Sequence, residues 1–353
     1  MRCVFAIVVL TVSTWLFASG HASAQTEEIE QALREYTAEQ NIAGASFYLE
    51  LDGDVIDIAV GSTNETKSNK ANTNDRYYIA STGKMMVAAA ILAHVEAGQL
   101  ELDAPIWPIL QDVPDIERLQ NIKSATLRQL LNHTAGFAEY LDAPFDDASN
   151  DNPDRRWTST EALRFAVDLP PAFETGTAFE YTNTNYVLLG LILEQLDGSL
   201  EASLQENVFS PLNLESSTAG AHPSDESLAH GFDFDGANKS QQAWASILGD
   251  GPVVATAQDV GQFMLGLFRD QKLIAADMLS EMLEGSEFNP DYGLGMGIDD
   301  DDLGTWYGHA GSYGGYEADV RYYPELEGVM VVLFNGNPDE EPAFLDIVAE
   351  LLS

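Results

Sequence analysis

Tyr78-Ile79-Ala80-Ser81-Thr82-Gly83-Lys84 opens an apolar run that ends at Gly98. Residues 84–97 have a helical pattern, and Gly98 is a C-terminal stop signal. Ser81 therefore sits where a helix begins, near the positive end of its dipole. A residue three positions on lies one turn later on the same face, so Lys84 Nζ can reach Ser81 Oγ. Serine is a weak nucleophile at its free pKa and needs a neighbouring base. A lysine held among cations or partly desolvated can accept a proton. None of the other five lysines has a serine three positions before it. Taken alone, the tetrapeptide also describes an N-cap serine followed by a surface lysine.

Two further stretches bear on that choice. Glu180-Tyr181-Thr182-Asn183 precedes a helical run at 186–196. Tyr181 and Asn183 can present a phenol and a carboxamide to one cleft. A phenolate beside a lysine ammonium can act as general base, and the carboxamide can hold an acyl-side amide or ester. A core tyrosine and a turn asparagine would read the same way in isolation. His309-Ala310-Gly311-Ser312 falls in a strand-like segment. Gly311 lets a substrate approach the strand closely. The N–H groups of Ser312 and Ser81 can form an oxyanion hole. His309 can supply a proton donor or positive potential opposite Lys84, although a lone strand histidine also fits a structural role.

In this order, Ser-x-x-Lys, Tyr-x-Asn and His-x-Gly resemble the serine β-lactamase and penicillin-binding superfamily. The Tyr-x-Asn form is similar to its branch of class C β-lactamases, D-alanyl-D-alanine carboxypeptidases and β-lactamase-like esterases. The likeness extends over nearly the whole chain beyond the leader. It includes Leu130-Leu131-Asn132-His133-Thr134-Ala135-Gly136-Phe137, Pro211-Leu212-Asn213-Leu214 and Tyr292-Gly293-Leu294-Gly295. The resemblance implies acyl transfer through an acyl-enzyme, with Ser81 as nucleophile and Lys84 and Tyr181 shuttling the proton. Asn183, His309, Gly311 and Ser312 would line the substrate site. His133 looks structural in that family. No metal or organic cofactor is implied. An alternative is a non-catalytic member that binds peptidoglycan fragments or β-lactams as a sensor.

The sequence departs from the family pattern in two places. His309 stands where class C β-lactamases carry lysine, and Ala310 lacks the hydroxyl that would help bind a substrate carboxylate. After Arg164 the only cations are Lys239, Arg269, Lys272 and Arg321, and Asp299-Asp300-Asp301-Asp302 precedes His309. An acidic surround repels a free carboxylate. The expected activity is therefore an esterase or broad ester and amide hydrolase, with a D-alanyl-D-alanine carboxypeptidase or D-amino-acid peptidase as the alternative and β-lactamase a third. The substrate would be a small ester or amide, or a peptidoglycan-derived peptide.

Further out, residues 27–40 read as an amphipathic helix. Segments 45–51 and 55–61 read as strands joined by Asp52-Gly53. Segments 305–312, 316–323 and 328–335 also read as strands, and 342–352 as a last helix. Between them the pattern is mostly helical, as at 126–132 and 159–167. The expected fold is α/β (α+β). One antiparallel sheet is built from both termini, with flanking helices and an inserted helical region, as in β-lactamases and transpeptidases. Sheet regions of about 25–90 and 225–353 would flank a helical region of about 91–224, within one hydrolase domain.

Composition narrows the remaining classes. Arg2, an apolar stretch and Ala22-Ser23-Ala24 read as a signal peptide over 1–24, so a secreted or periplasmic protein is expected. A buried N-terminal helix is the other reading. Cys3 is the only cysteine and falls in that leader, which excludes cysteine catalysis and Cys-ligated zinc. No membrane span is expected after leader removal. Acidic side chains number 57 against 16 basic, a net charge of −41, which argues against nucleic acid and anionic membrane surfaces as partners. The acidic runs at 142–154 and 299–302 lack EF-hand spacing and are expected as flexible loops. A monomer is expected.

Overall fold

The computed structural model describes residues 12–51, 53–338 and 343–353. Most of the leader's apolar stretch and the turn residue Asp52 lie outside the described residues, as does Pro342, the first residue of the expected last helix. No described helix is long and apolar enough to cross a membrane.

The chain runs through α1 (Val12–Glu39), β1 (Gly44–Leu51), β2 (Asp54–Gly61), β3 (Tyr77–Tyr78), α2 (Lys84–Glu96), α3 (Leu127–Leu131) and α4 (Asn183–Asp197). It continues through β4 (Thr218–Ala219), β5 (Val253–Ala255), α5 (Ala257–Phe268), β6 (Gly297–Asp301), β7 (Gly304–Tyr313), β8 (Tyr316–Tyr323), β9 (Gly328–Phe334) and α6 (Phe344–Leu352). Six strands form an antiparallel sheet in the order β2-β1-β9-β8-β7-β6. The N-terminal hairpin pairs directly with the last strand, as expected of a sheet built from both termini. A second sheet, β3-β5-β4, carries the segment that leads to Ser81.

Alternation along the central strands sorts side chains to two faces. Phe47, Leu49, Met330, Val332 and Phe334 bury one face under Ile29 and Leu33 of α1 and Phe344, Leu345 and Val348 of α6. Tyr48, Val329, Val331 and Leu333 bury the other face in a larger core with α2, α4 and α5. A sheet covered on both sides needs apolar residues at consecutive positions, and all of β9 is buried. Helix α2 is buried from Lys84 to Leu92, which explains an apolar run with no polar face.

Both acidic runs differ from the expected loops. Gly297–Asp301 pairs with β7, and the Asp301 carboxylate accepts hydrogen bonds from buried Arg321 and from Tyr323. An edge strand tolerates the exposed Asp299 and Asp300 because only one of its edges is paired. Ala143–Asp151 is a helix, capped by the Asp142 side chain and anchored by Phe145 against Trp157. Helix α5 was not expected. Thr256 caps it by accepting the Asp259 N–H, a Thr-x-x-Asp signal that the sequence does carry.

Candidate active site

Ser81 lies in a single 3-10 turn, Ala80–Gly83, that feeds straight into α2. Strand β3 holds this turn against β5, and Ile79 N–H continues the pairing by donating to Val253 O at 3.1 Å. Ala80 has a φ of +46°, a conformation unfavourable for a residue with a Cβ, immediately before Ser81.

Lys84 is fully buried, and its Nζ lies within hydrogen-bonding distance of three acceptors. These are Ser81 Oγ at 2.9 Å, Asn183 Oδ1 at 2.8 Å and the carbonyl oxygen of Asp250 at 2.7 Å. The arrangement serves both protonation states. An ammonium donates all three bonds. A neutral amine donates to Asn183 and Asp250 and accepts from the Ser81 hydroxyl.

Asn183 opens α4. Its Nδ2 and its backbone N–H both donate to Glu139 Oε2, at 3.2 and 2.8 Å. Both ends of the carboxamide are thus engaged, by Lys84 and by Glu139. The expected substrate-holding amide also orients the lysine. The Tyr181 ring lies 5.1 Å from Lys84 Nζ, measured to its centroid, and is the most exposed of these groups. It packs against His133 with ring centroids 4.3 Å apart and the planes tilted by 32°. His133 Nδ1 accepts the Thr182 N–H at 3.2 Å and the Asn185 amide at 3.1 Å, so it fastens the segment that carries Tyr181. Burial, aided by the Lys84 charge, pushes the His133 pKa well below the usual histidine range.

Strand β7 supplies the opposite wall. Pairing with β6 ends at Gly308, so one edge of β7 is open from His309 onward. Gly314 and Gly315, at φ +59° and +78°, make a two-residue turn between Tyr313 and Tyr316. Such a turn closes on a hydrogen-bonded pair, and pairing alternates from there. The N–H and C=O of Ser312 and Ala310 therefore point away from β8, to the open edge. Gly311 faces the Ser81 turn at close range. A Cβ there would meet Ile79 O at 2.7 Å, Ser81 N at 2.7 Å and Thr82 N at 2.8 Å. The Ser312 hydroxyl accepts from Asn337 Nδ2 at 2.7 Å.

His309 differs from the expected source of positive potential. Burial, with the Lys84 charge second, pushes its pKa down to about 4, so the ring is neutral at neutral pH. Nδ1 donates to the Ala310 carbonyl, and Nε2 accepts from Tyr292 O–H at 3.1 Å. Arg321 does not enter the cleft either. It is buried among Asp301, Asp319 and Asp346. The stretch Asp299 to Asp302 does not line the cleft. Its acid comes instead from Asp250, with Glu139 close behind Asn183.

These walls enclose a cleft of about 250 Å³ lined by Ser81, Tyr181, Asn183, Ser312, Asp250 and Tyr140, among others. The structure thus brings together Ser81, Lys84, Tyr181, Asn183, Gly311 and Ser312, with His309 beside Tyr181. Glu139, Tyr140 and Asp250 carry no motif, and sequence reasoning missed them. Among the described residues no three His, Cys, Asp or Glu side chains are grouped to hold a metal ion.

Comparison with known proteins gives the family and the fold. The chain is 27% identical over 359 residues to penicillin-binding protein 4 of Amycolatopsis lactamdurans, covering 93% of this chain and 89% of that protein. The D-amino acid amidase of Ochrobactrum anthropi SV3, solved with L-phenylalanine amide, superposes with a TM-score of 0.76. That match covers 93% of this chain and 96% of the amidase at 22% identity, a likeness of fold. The octameric penicillin-binding protein homologue from Pyrococcus abyssi gives a TM-score of 0.75 at 26% identity, over 88% of this chain and 74% of that one. The Beta-lactamase family profile matches residues 29–353, from within α1 through the last helix, and the chain is accordingly a serine hydrolase of the Beta-lactamase family.

Proposed function

We propose that the protein hydrolyses small esters or amides that lack a free carboxylate through an acyl-enzyme on Ser81. The observation that carries this reading is the short Lys84–Ser81 contact at the floor of a cleft whose far wall is an open strand edge. Ser81 Oγ attacks the substrate carbonyl and its proton passes to Lys84. The carbonyl oxygen, now an anion, is held by the N–H groups of Ser81 and Ser312. Tyr181 and Lys84 return the proton to the departing alcohol or amine. Water then enters by the same route in reverse, and the acid is released.

The cleft lining holds no arginine or lysine, and its one charged side chain is a carboxylate, Asp250. This supports a substrate without a free carboxylate over one that ends in a carboxylate. The test compares kcat/KM for p-nitrophenyl butyrate, nitrocefin and a D-Ala-D-Ala peptide. The ester should be the best of the three. A clear preference for the peptide would replace this reading with a D-alanyl-D-alanine carboxypeptidase, which the likeness to a penicillin-binding protein supports.

A further inference from the structure

Asp250 is a buried carboxylate that the acyl-transfer steps do not use. It lines the cleft beside Ser81, and only 8% of the residue is exposed. Oδ2 accepts the Tyr140 hydroxyl at 2.8 Å. Among the described residues no basic side chain lies within ion-pairing distance of its carboxylate. Lys84 is near, but it bonds the Asp250 carbonyl, and its other two contacts are Ser81 and Asn183. A buried carboxylate without a cationic partner is costly unless something arrives to meet it. The Asp250 residue and Ser81 line the same cleft, and an α-ammonium group is separated from the carbonyl carbon under attack by a single carbon atom, so a substrate amine enters the cleft together with the reacting carbonyl.

We infer that Asp250 is a specificity-determining residue that receives the ammonium group of the substrate, so that the favoured acyl donors are amides or esters of amino acids with a free amine. The inference rests on the hydrolase reading above. Burial pushes the Asp250 pKa upward while the Lys84 charge opposes it, and a substrate cation would hold the carboxylate ionised. The same carboxylate repels a substrate carboxylate placed there. Tyr140 is a positioning residue. Its hydroxyl stays protonated, because burial and the Asp250 charge push its pKa well up, so it remains a donor that fixes one carboxylate oxygen.

The experiment uses the full chain and three p-nitroanilides: alanine (D and L separately), N-acetylalanine and propionic acid. p-Nitrophenyl butyrate is the reference ester. The free amine should raise kcat/KM about tenfold or more over the acetylated and deaminated compounds, mainly through KM. In Asp250→Asn that ratio should fall to about twofold or less. Asp250→Ser gives a second carboxylate-free variant, and if neither folds the wild-type ratio alone decides. Turnover of the reference ester with no amine preference overturns this inference and leaves the hydrolase standing. A preference that survives in both variants overturns it as well. Absence of turnover on every substrate overturns the hydrolase reading and this inference with it.

Discussion

Lys84 Nζ sits 2.9 Å from Ser81 Oγ, and the same nitrogen reaches Asn183 Oδ1 at 2.8 Å and the Asp250 carbonyl at 2.7 Å. A buried lysine needs its three protons satisfied, and this set satisfies them without a carboxylate that would lock it as an ion pair. Ser81→Ala removes the nucleophile and leaves two of the three bonds. It should lower kcat by about 10⁴-fold or more with little change in Tm, and abolish fluorophosphonate labelling. Ester hydrolysis near the wild-type rate by this variant would rule Ser81 out.

Lys84 Nζ lies 5.1 Å from the centroid of the Tyr181 ring, and the two groups are assigned the same proton. Lys84→Ala and Tyr181→Phe should each cost a large factor in kcat/KM. The double variant should cost much less than the product, because groups that act as a unit are not additive. A cycle that is additive would reduce one of the two to packing.

Gly311→Ala places a methyl group against three backbone atoms of the Ser81 turn, at 2.7, 2.7 and 2.8 Å. Backbone cannot swing aside as a long side chain can, so either β7 or the turn must shift. A loss of about 1–3 kcal/mol in unfolding free energy is expected, with a fall in kcat larger than any rise in KM. Unchanged stability and rate would mean that the strand and the turn do not pack this closely.

The depressed pKa of His309 makes a signed prediction. Its folded value of about 4 lies below the unfolded value of about 6.5, so between these the unfolded chain binds the extra proton. Stability from this group is fully present above pH 6.5 or so and falls as the pH drops toward 4. Buried carboxylates with raised pKa values, such as Asp250 and Asp319, act with the opposite sign. The informative quantity is therefore a difference. Urea unfolding at pH 7 and pH 5 should show a shallower loss in His309→Gln than in wild type. Equal losses would place the imidazole in a solvated setting.

A net charge of −41 should make stability depend on salt. The Debye length is about 10 Å at 0.1 M, so most of the screening arrives below that concentration. Tm should climb from a few millimolar to about 0.3 M NaCl. A flat profile would mean that the acidic groups are too widely spread to repel one another.

The sequence by itself determined the pieces whose physics is local. The Ser-x-x-Lys spacing, the hairpin from Gly44 to Gly61, the three C-terminal strands and the stop at Gly98 all follow from periodicity and turn chemistry within a few residues. Tertiary structure decided what depends on partners far along the chain. Asp299 and Asp300 read as loop by charge, yet β7 pairs with them, because a ladder asks only for backbone groups on a tolerant edge. Gly311 reads as permissive, and only its distance to Ser81 makes it necessary. His309 looks like a cation until burial near Lys84 removes its proton. Asp250 is one of 57 acids until the fold leaves it as the carboxylate lining the cleft, since burial and the absence of an ion-pairing partner are properties of position, not of residue type.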